Sequence, residues 1–107
     1  MGWADNYIAK LQKGETVKFR PRGNSMRGRI ESGQLVTVVP FEPKNLLNLN
    51  VRDIVLCKVN GKQFLHLVFG IRGDRDGLFA QIANAKGHVN GWTPFKNIYG
   101  KVVKIET

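Results

Sequence analysis

The chain has 107 residues and a formal net charge of +9, a length that suits one domain, residues 1–107, with a core of its own. A single cysteine, Cys57, excludes an internal disulfide and a cysteine-built zinc site, so the composition fits a reducing, cytoplasmic setting. Seventeen lysines and arginines against eight acids favour an anionic partner: nucleic acid, acidic lipid or an acidic protein segment.

In chain order, Met1 to Asn6 carries an early acid and no apolar segment, unlike a signal peptide, and Asn6 stands where a myristoylation signal needs Ser or Thr. No stretch reaches the roughly 18 apolar residues of a membrane-spanning helix. Trp3, Tyr7, Ile8 and Leu11 recur at helical spacing and predict an amphipathic helix over about 3–13, stopped by Gly14. The period then changes. Val17 and Phe19 fall in a short strand, and residues 34–39 form a β-branched strand that ends at Pro40. Pro40, Pro43 and the asparagine-rich residues 45–50 predict an irregular connection. A strand over 53–59, the hairpin dipeptide Asn60-Gly61 and a return strand over 63–71 follow. A Gly/Asp turn at 73–77, a strand over 78–83 and a last strand over 98–105 complete a mainly β domain with one N-terminal helix.

The charge is concentrated. Lys18, Arg20, Arg22, Arg27 and Arg29 lie between Glu15 and Glu31 with no acid among them, and they flank Ser25. Such residues usually form a solvated face. Five cations around one serine would also suit an acidic protein segment or phosphates, although the aromatic residues form no RNA-binding sheet motif and no helix-turn-helix pattern is present.

The segment Gly23-Asn24-Ser25-Met26-Arg27-Gly28-Arg29-Ile30, followed by the Gly33-led strand, resembles the box around the nucleophile in LexA-like autoproteases and type I signal peptidases. Val51-Arg52-Asp53-Ile54-Val55-Leu56 is similar to that superfamily's Gly-Asp-Ile-Val strand. Gly91-Trp92-Thr93-Pro94, with Ile98-Tyr99-Gly100-Lys101-Val102-Val103, resembles its closing strands. The three boxes occur in the family's order and run from about Val17 to the end of the chain. The resemblance implies a β-clip type fold with Ser25 in the nucleophile position. It also implies that His66, in Phe64-Leu65-His66-Leu67-Val68, stands where bacterial members carry a lysine base, as in the eukaryotic and archaeal signal-peptidase branch. The departures are Gly28 for the usual proline, Gln34 for an aspartate and Arg52 for a glycine.

A histidine base is chemically favourable. A serine hydroxyl needs a neighbouring base to attack a carbonyl. Lysine must be shifted down by several units before it can accept a proton near neutrality, whereas histidine needs only position and the right tautomer. The expectation is a Ser25/His66 dyad acting on an extended peptide, with the N–H groups of Ser25 and Asn24 holding the oxyanion. The histidine branch also carries an aspartate before its final strands, yet residues 78–105 hold no acid. Asp53, Asp74 or Asp76 would then orient the ring, or a neutral carbonyl would. No metal or cofactor is implied, since the two histidines lack partners at ligand spacing.

Each of these residues also has a plainer reading. Alone, Ser25 fits a turn, and His66 fits a satisfied histidine between apolar neighbours. His88 reads as a surface turn residue, Cys57 as a small core residue, and Met26 and Ile30 as packing for the serine loop. The alternative function is a catalytically inactive binding module of the same fold that holds nucleic acid or an acidic protein on its basic surface. Only 24 residues precede Ser25, too few for a repressor's DNA-binding domain, so self-processing is expected only within that arm.

Overall fold

The computed structural model describes residues 2–42 and 49–107, so the part of the expected loop at Pro43 and residues 45–48 lies outside the described residues. The elements are α1 (Asp5–Gln12), β1 (Val17–Phe19), β2 (Leu35–Pro40), β3 (Ile54–Val59), β4 (Lys62–Asp74), β5 (Gly77–Ala83), β6 (Val89–Pro94), a 3₁₀ turn (Phe95–Asn97) and β7 (Ile98–Glu106). The expected helix and strands are present, with shifted ends. The helix starts two residues later than expected, with Ala4 as its N-cap, and the Ala4 N–H, which has no acceptor within the helix, donates to the Gln63 side chain at 2.7 Å. β4 runs three residues beyond Ile71 because its ladder with β5 continues to Asp74 opposite Gly77. β6 has no alternating pattern of its own; only the resemblance suggested a strand there.

Asn60 and Gly61 have φ of 51° and 81°, the two left-handed residues that a tight hairpin matching strand twist requires. Arg52 has φ of 83°, a conformation that disfavours any side chain with a Cβ. Its N–H donates to Val68 O at 2.8 Å, which holds the strained residue in place.

All seven strands belong to one antiparallel sheet, in the order β1-β2-β7-β3-β4-β5-β6. The sheet coils until β6 returns to β3: Thr93 Oγ1 donates to Lys58 O at 2.7 Å, and a Cβ at Gly91 would sit 3.2 Å from Val59. Inside the coil lie Val55, Cys57, Val59, Val68, Ile82 and Phe95. On the outer face, Ile54, Leu56, Leu65 and Leu67 pack with Val36 and Val38 beneath Ile8 and Leu11 of α1. β3 therefore feeds both cores by simple alternation. The helix presses close to the sheet at Gly100, where a Cβ would lie 2.5 Å from Val38 Cγ1 and 2.9 Å from Leu11 Cδ1.

Leu56 is fully buried at this centre. Leu56→Ala is expected to cost about 3 kcal/mol in urea unfolding, whereas Val103→Ala, at a position 56% exposed, should change stability by less than about 0.5 kcal/mol. Arg52→Gly should stabilise by up to about 1 kcal/mol through release of the left-handed strain, measured in the same experiment.

Candidate active site

The site begins with an uncovered strand edge. β4 pairs with β3 through its first half, His66 opposite Val55, but β5 joins its other side only from Leu67, opposite Ala83. Backbone groups of successive residues in an antiparallel strand point to alternate sides. The Val68 N–H and C=O bond Asp53 O and the Arg52 N–H, each at 2.8 Å, on the β3 side. By alternation His66 and Phe64 also bond toward β3, while Leu67, Leu65 and Gln63 face away. Gln63 O accepts the Trp3 indole N–H at 3.3 Å. The Leu65 N–H and C=O find no partner among the described residues.

This edge borders an open cavity of about 610 Å³ whose lining also includes the serine loop and the N-terminal arm. The loop is a compact surface turn with linked ends. Gly33 N–H donates to Pro21 O at 2.9 Å, Arg20 Nη1 to Gly33 O at 2.8 Å, and Gly23 N–H to Ser32 Oγ at 3.2 Å. Buried Met26 and Ile30 anchor it in the outer core. Ser25 is exposed on the cavity lining, and its carbonyl accepts the Ala85 N–H at 3.0 Å, which ties the loop to the segment between β5 and β6. Asn24 is off the lining, and its carbonyl accepts the Arg27 N–H at 3.1 Å. The backbone N–H groups of Asn24 and Ser25 donate to no acceptor among the described residues.

His66 lines the same cavity from β4. Its ring stacks on Phe64, with centroids 4.9 Å apart and planes at 27°, and its Nδ1 lies 2.7 Å from Asn90 Oδ1. With that carbonyl oxygen as acceptor, Nδ1 carries the proton and Nε2 keeps the lone pair, the tautomer a general base requires. Burial holds the imidazole below its ordinary pKa, outweighing the Asn90 hydrogen bond that works the other way, and repulsion from the neighbouring His88 imidazole adds to the lowering. Ser25 and His66 face one cavity without a hydrogen bond between them. Such contacts often close only when substrate is bound.

The oxygen that orients the ring corrects the carboxylate expectation. Asp53 is held elsewhere: Lys101 Nζ sits 3.2 Å from Oδ2, which also accepts the Asn50 N–H at 2.8 Å. Asp74 and Asp76 lie in the exposed β4–β5 turn, where Asp74 Oδ1 accepts the Asp76 N–H. That turn is eight residues along β4 from His66, roughly 26 Å at about 3.3 Å per residue. Asn90 was not singled out from the sequence, where it falls between the His88 turn and the segment beginning at Gly91. In the fold, Ile82 faces Gly91 and Ala83 faces Val89, so Asn90 is the extra residue of a β-bulge. Bulges of this kind re-aim a side chain, and no sequence pattern announced this one.

Lys18, Arg20, Arg22, Arg27 and Arg29 are all exposed, but only Arg20 and Arg22 line the cavity. Arg27 lies 3.8 Å from Glu31, and Lys18 stands opposite Thr37 on β1. Cys57 is inert as a nucleophile, since burial pushes its thiol up to about 12. Among the described residues no three His, Cys, Asp or Glu side chains gather as metal ligands, and no helix is long and apolar enough to cross a membrane. Neither a family model nor a curated protein or solved structure matches the chain.

An NMR titration of the His66 ring should give a midpoint below 6.5, and Asn90→Asp should move it upward by adding a negative charge to Nδ1. Because the folded state binds this proton less readily than the unfolded chain, His66 costs the fold stability as pH falls below 6.5 and costs nothing above it. The loss of Tm on acidification from about pH 7 to about pH 5 should therefore be smaller in His66→Gln.

Proposed function

We propose that this chain is a serine peptidase of the LexA-like/signal-peptidase type, with a β-clip related fold, Ser25 as nucleophile, His66 as base and Asn90 orienting the base. The observation that carries the reading is the convergence of Ser25 and a correctly protonated His66 on one cavity beside an unpaired strand edge. A substrate segment adds to β4 as an extended strand and bonds the free N–H and C=O of Leu65. Ser25 Oγ attacks the scissile carbonyl as His66 Nε2 takes its proton, and the same imidazolium returns it to the leaving amine. The Ser25 N–H, which has no acceptor among the described residues, receives the oxyanion, and Asn24, off the lining, does not share that role. Water then releases the acyl group by the same base catalysis. The Asn90 carbonyl fixes the ring without a buried carboxylate, so the imidazolium is less stabilised than it would be beside an aspartate.

The Arg52 backbone gives the family resemblance a physical basis. The residue that replaces the family's glycine has φ of 83°, a conformation that favours glycine. Gly28 works in the opposite sense, because its φ of 96° is one that the family's proline could not adopt. The serine loop therefore follows its own path after Met26.

The competing reading is a non-catalytic module that holds nucleic acid or an acidic protein. It rests on the shared exposure of the five cations around Ser25. A fluorophosphonate probe separates the two. Labelling of the wild type should vanish in Ser25→Ala and slow at least about 100-fold in His66→Ala. Peptide hydrolysis should rise with pH to a plateau, with its midpoint below 6.5. Absence of labelling, together with salt-sensitive binding to nucleic acid, would establish the binding module instead. A rise only above about pH 9 would point to a lysine base such as Lys58 or Lys62.

A further inference from the structure

One part of the cavity lining is aromatic and comes largely from the N-terminal arm, next to the open β4 edge. Tyr7 of α1 stacks on Phe19 of β1 with centroids 4.2 Å apart and planes at 15°. Trp3 leans on both, at 6.5 Å and 6.0 Å. Trp3 is held in that position on the β4 edge by its indole N–H to Gln63 O. The arm is fixed from its other side as well: the Gln63 amide bonds both the Ala4 N–H and the Asp5 carboxylate, and Asp5 also accepts the Gly2 N–H. These donors hold the Asp5 carboxyl below its ordinary range. Although so tethered, Trp3 remains 53% exposed, a fixed apolar ring with part of its surface uncovered.

We infer that this wall is a side-chain subsite that selects a bulky apolar residue, aromatic or leucine-sized, on an extended peptide that also carries acidic residues. The inference deepens the peptidase reading and rests on it. A strand bonded to Leu65 presents alternate side chains to the two faces of β4. One set falls on the Phe64 and His66 face. The other falls on the Leu65 face, where Tyr7 and Phe19 pack in the outer core. An alanine there would leave the exposed part of Trp3 in water, whereas a large apolar side chain would cover it. The rim supplies the second preference. Arg20 and Arg22 line the cavity, and Glu31, the acid beside them, is already engaged by the Gly28 N–H and Arg27. The net field at the mouth is positive and suits carboxylates flanking the apolar residue.

The experiment uses internally quenched peptides that differ only in holding Phe, Leu or Ala between two glutamates, with a matched set flanked by lysines. Wild-type kcat/KM should favour Phe over Ala by at least about 100-fold. The glutamate set should be favoured over the lysine set, and Arg22→Glu should remove about 5-fold of that second preference. Trp3→Ala, used only if its circular dichroism and Tm match the wild type, and Trp3→Leu as the conservative partner, should reduce the Phe preference, by about 10-fold in the alanine variant. In parallel, Ser25→Ala is titrated with fluorescein-labelled versions of the same peptides, so that binding is read without turnover. Cleavage of all peptides at equal efficiency would overturn the subsite and leave the peptidase reading intact. Tighter binding of the Phe peptide to Ser25→Ala, without cleavage by wild type, would uphold the subsite and sink the peptidase reading. Neither cleavage nor selective binding would overturn both.

Discussion

Everything at the site depends on where β5 stops covering β4. From Leu67 onward the outward backbone groups of β4 are bonded by β5, and before it the same groups face solvent or the N-terminal arm. An open edge of this kind usually invites uncontrolled pairing. Here it is short, flanked by a pinned serine loop, and half occupied by the Trp3 side chain, so a peptide can reach Leu65 but a second sheet cannot easily stack along it. The departure of β5 also makes room for the Ser25 loop, whose carbonyl bonds the first residues beyond β5 at Ala85.

The chemistry at His66 follows from a conflict between two environments. Burial beside Phe64 and within the sheet disfavours the cation, while the Asn90 carbonyl favours a proton on Nδ1. The outcome is a ring that is neutral at physiological pH yet has only one place for its proton. A carboxylate in the Asn90 position would strengthen the cation and raise the pKa. The bulge therefore supplies orientation with little electrostatic charge, a different balance from that of an acid–histidine pair.

Much of the fold could be read from the residues because it rests on local signals. The Trp3–Leu11 spacing, the Asn60-Gly61 hairpin and the alternation of β3 each have one strong structural solution, and each is present. The site was legible only in part. Ser25 and His66 are 41 positions apart, and a sequence resemblance brought them together where no periodicity could. Asn90 could not be found in this way, because its role depends on a one-residue bulge created by the coiling of β5 and β6. The same holds for β6 itself, whose Gly91 and Pro94 disguise a strand fixed by the Thr93 bond to Lys58. The carboxylates failed as orienters for an equally non-local reason: Lys101, from the last strand, captures Asp53.

The position of β7 has a consequence for how the chain acquires its structure. This last strand lies between β2 and β3 and pairs with both. Until it emerges from the ribosome, the β1–β2 hairpin and the β3–β6 coil have no ladder between them, and the helix lacks the Gly100 surface on which it rests. β7 must therefore be made before the two sheet portions can pair through it, and the ladders it completes join residues distant in sequence. Without residues 98–106, Ser25 and His66 would belong to sheet portions joined by no strand ladder among the described residues, linked instead by the Ala85 N–H to Ser25 O and by the bonds of Trp3 and Ala4 to Gln63.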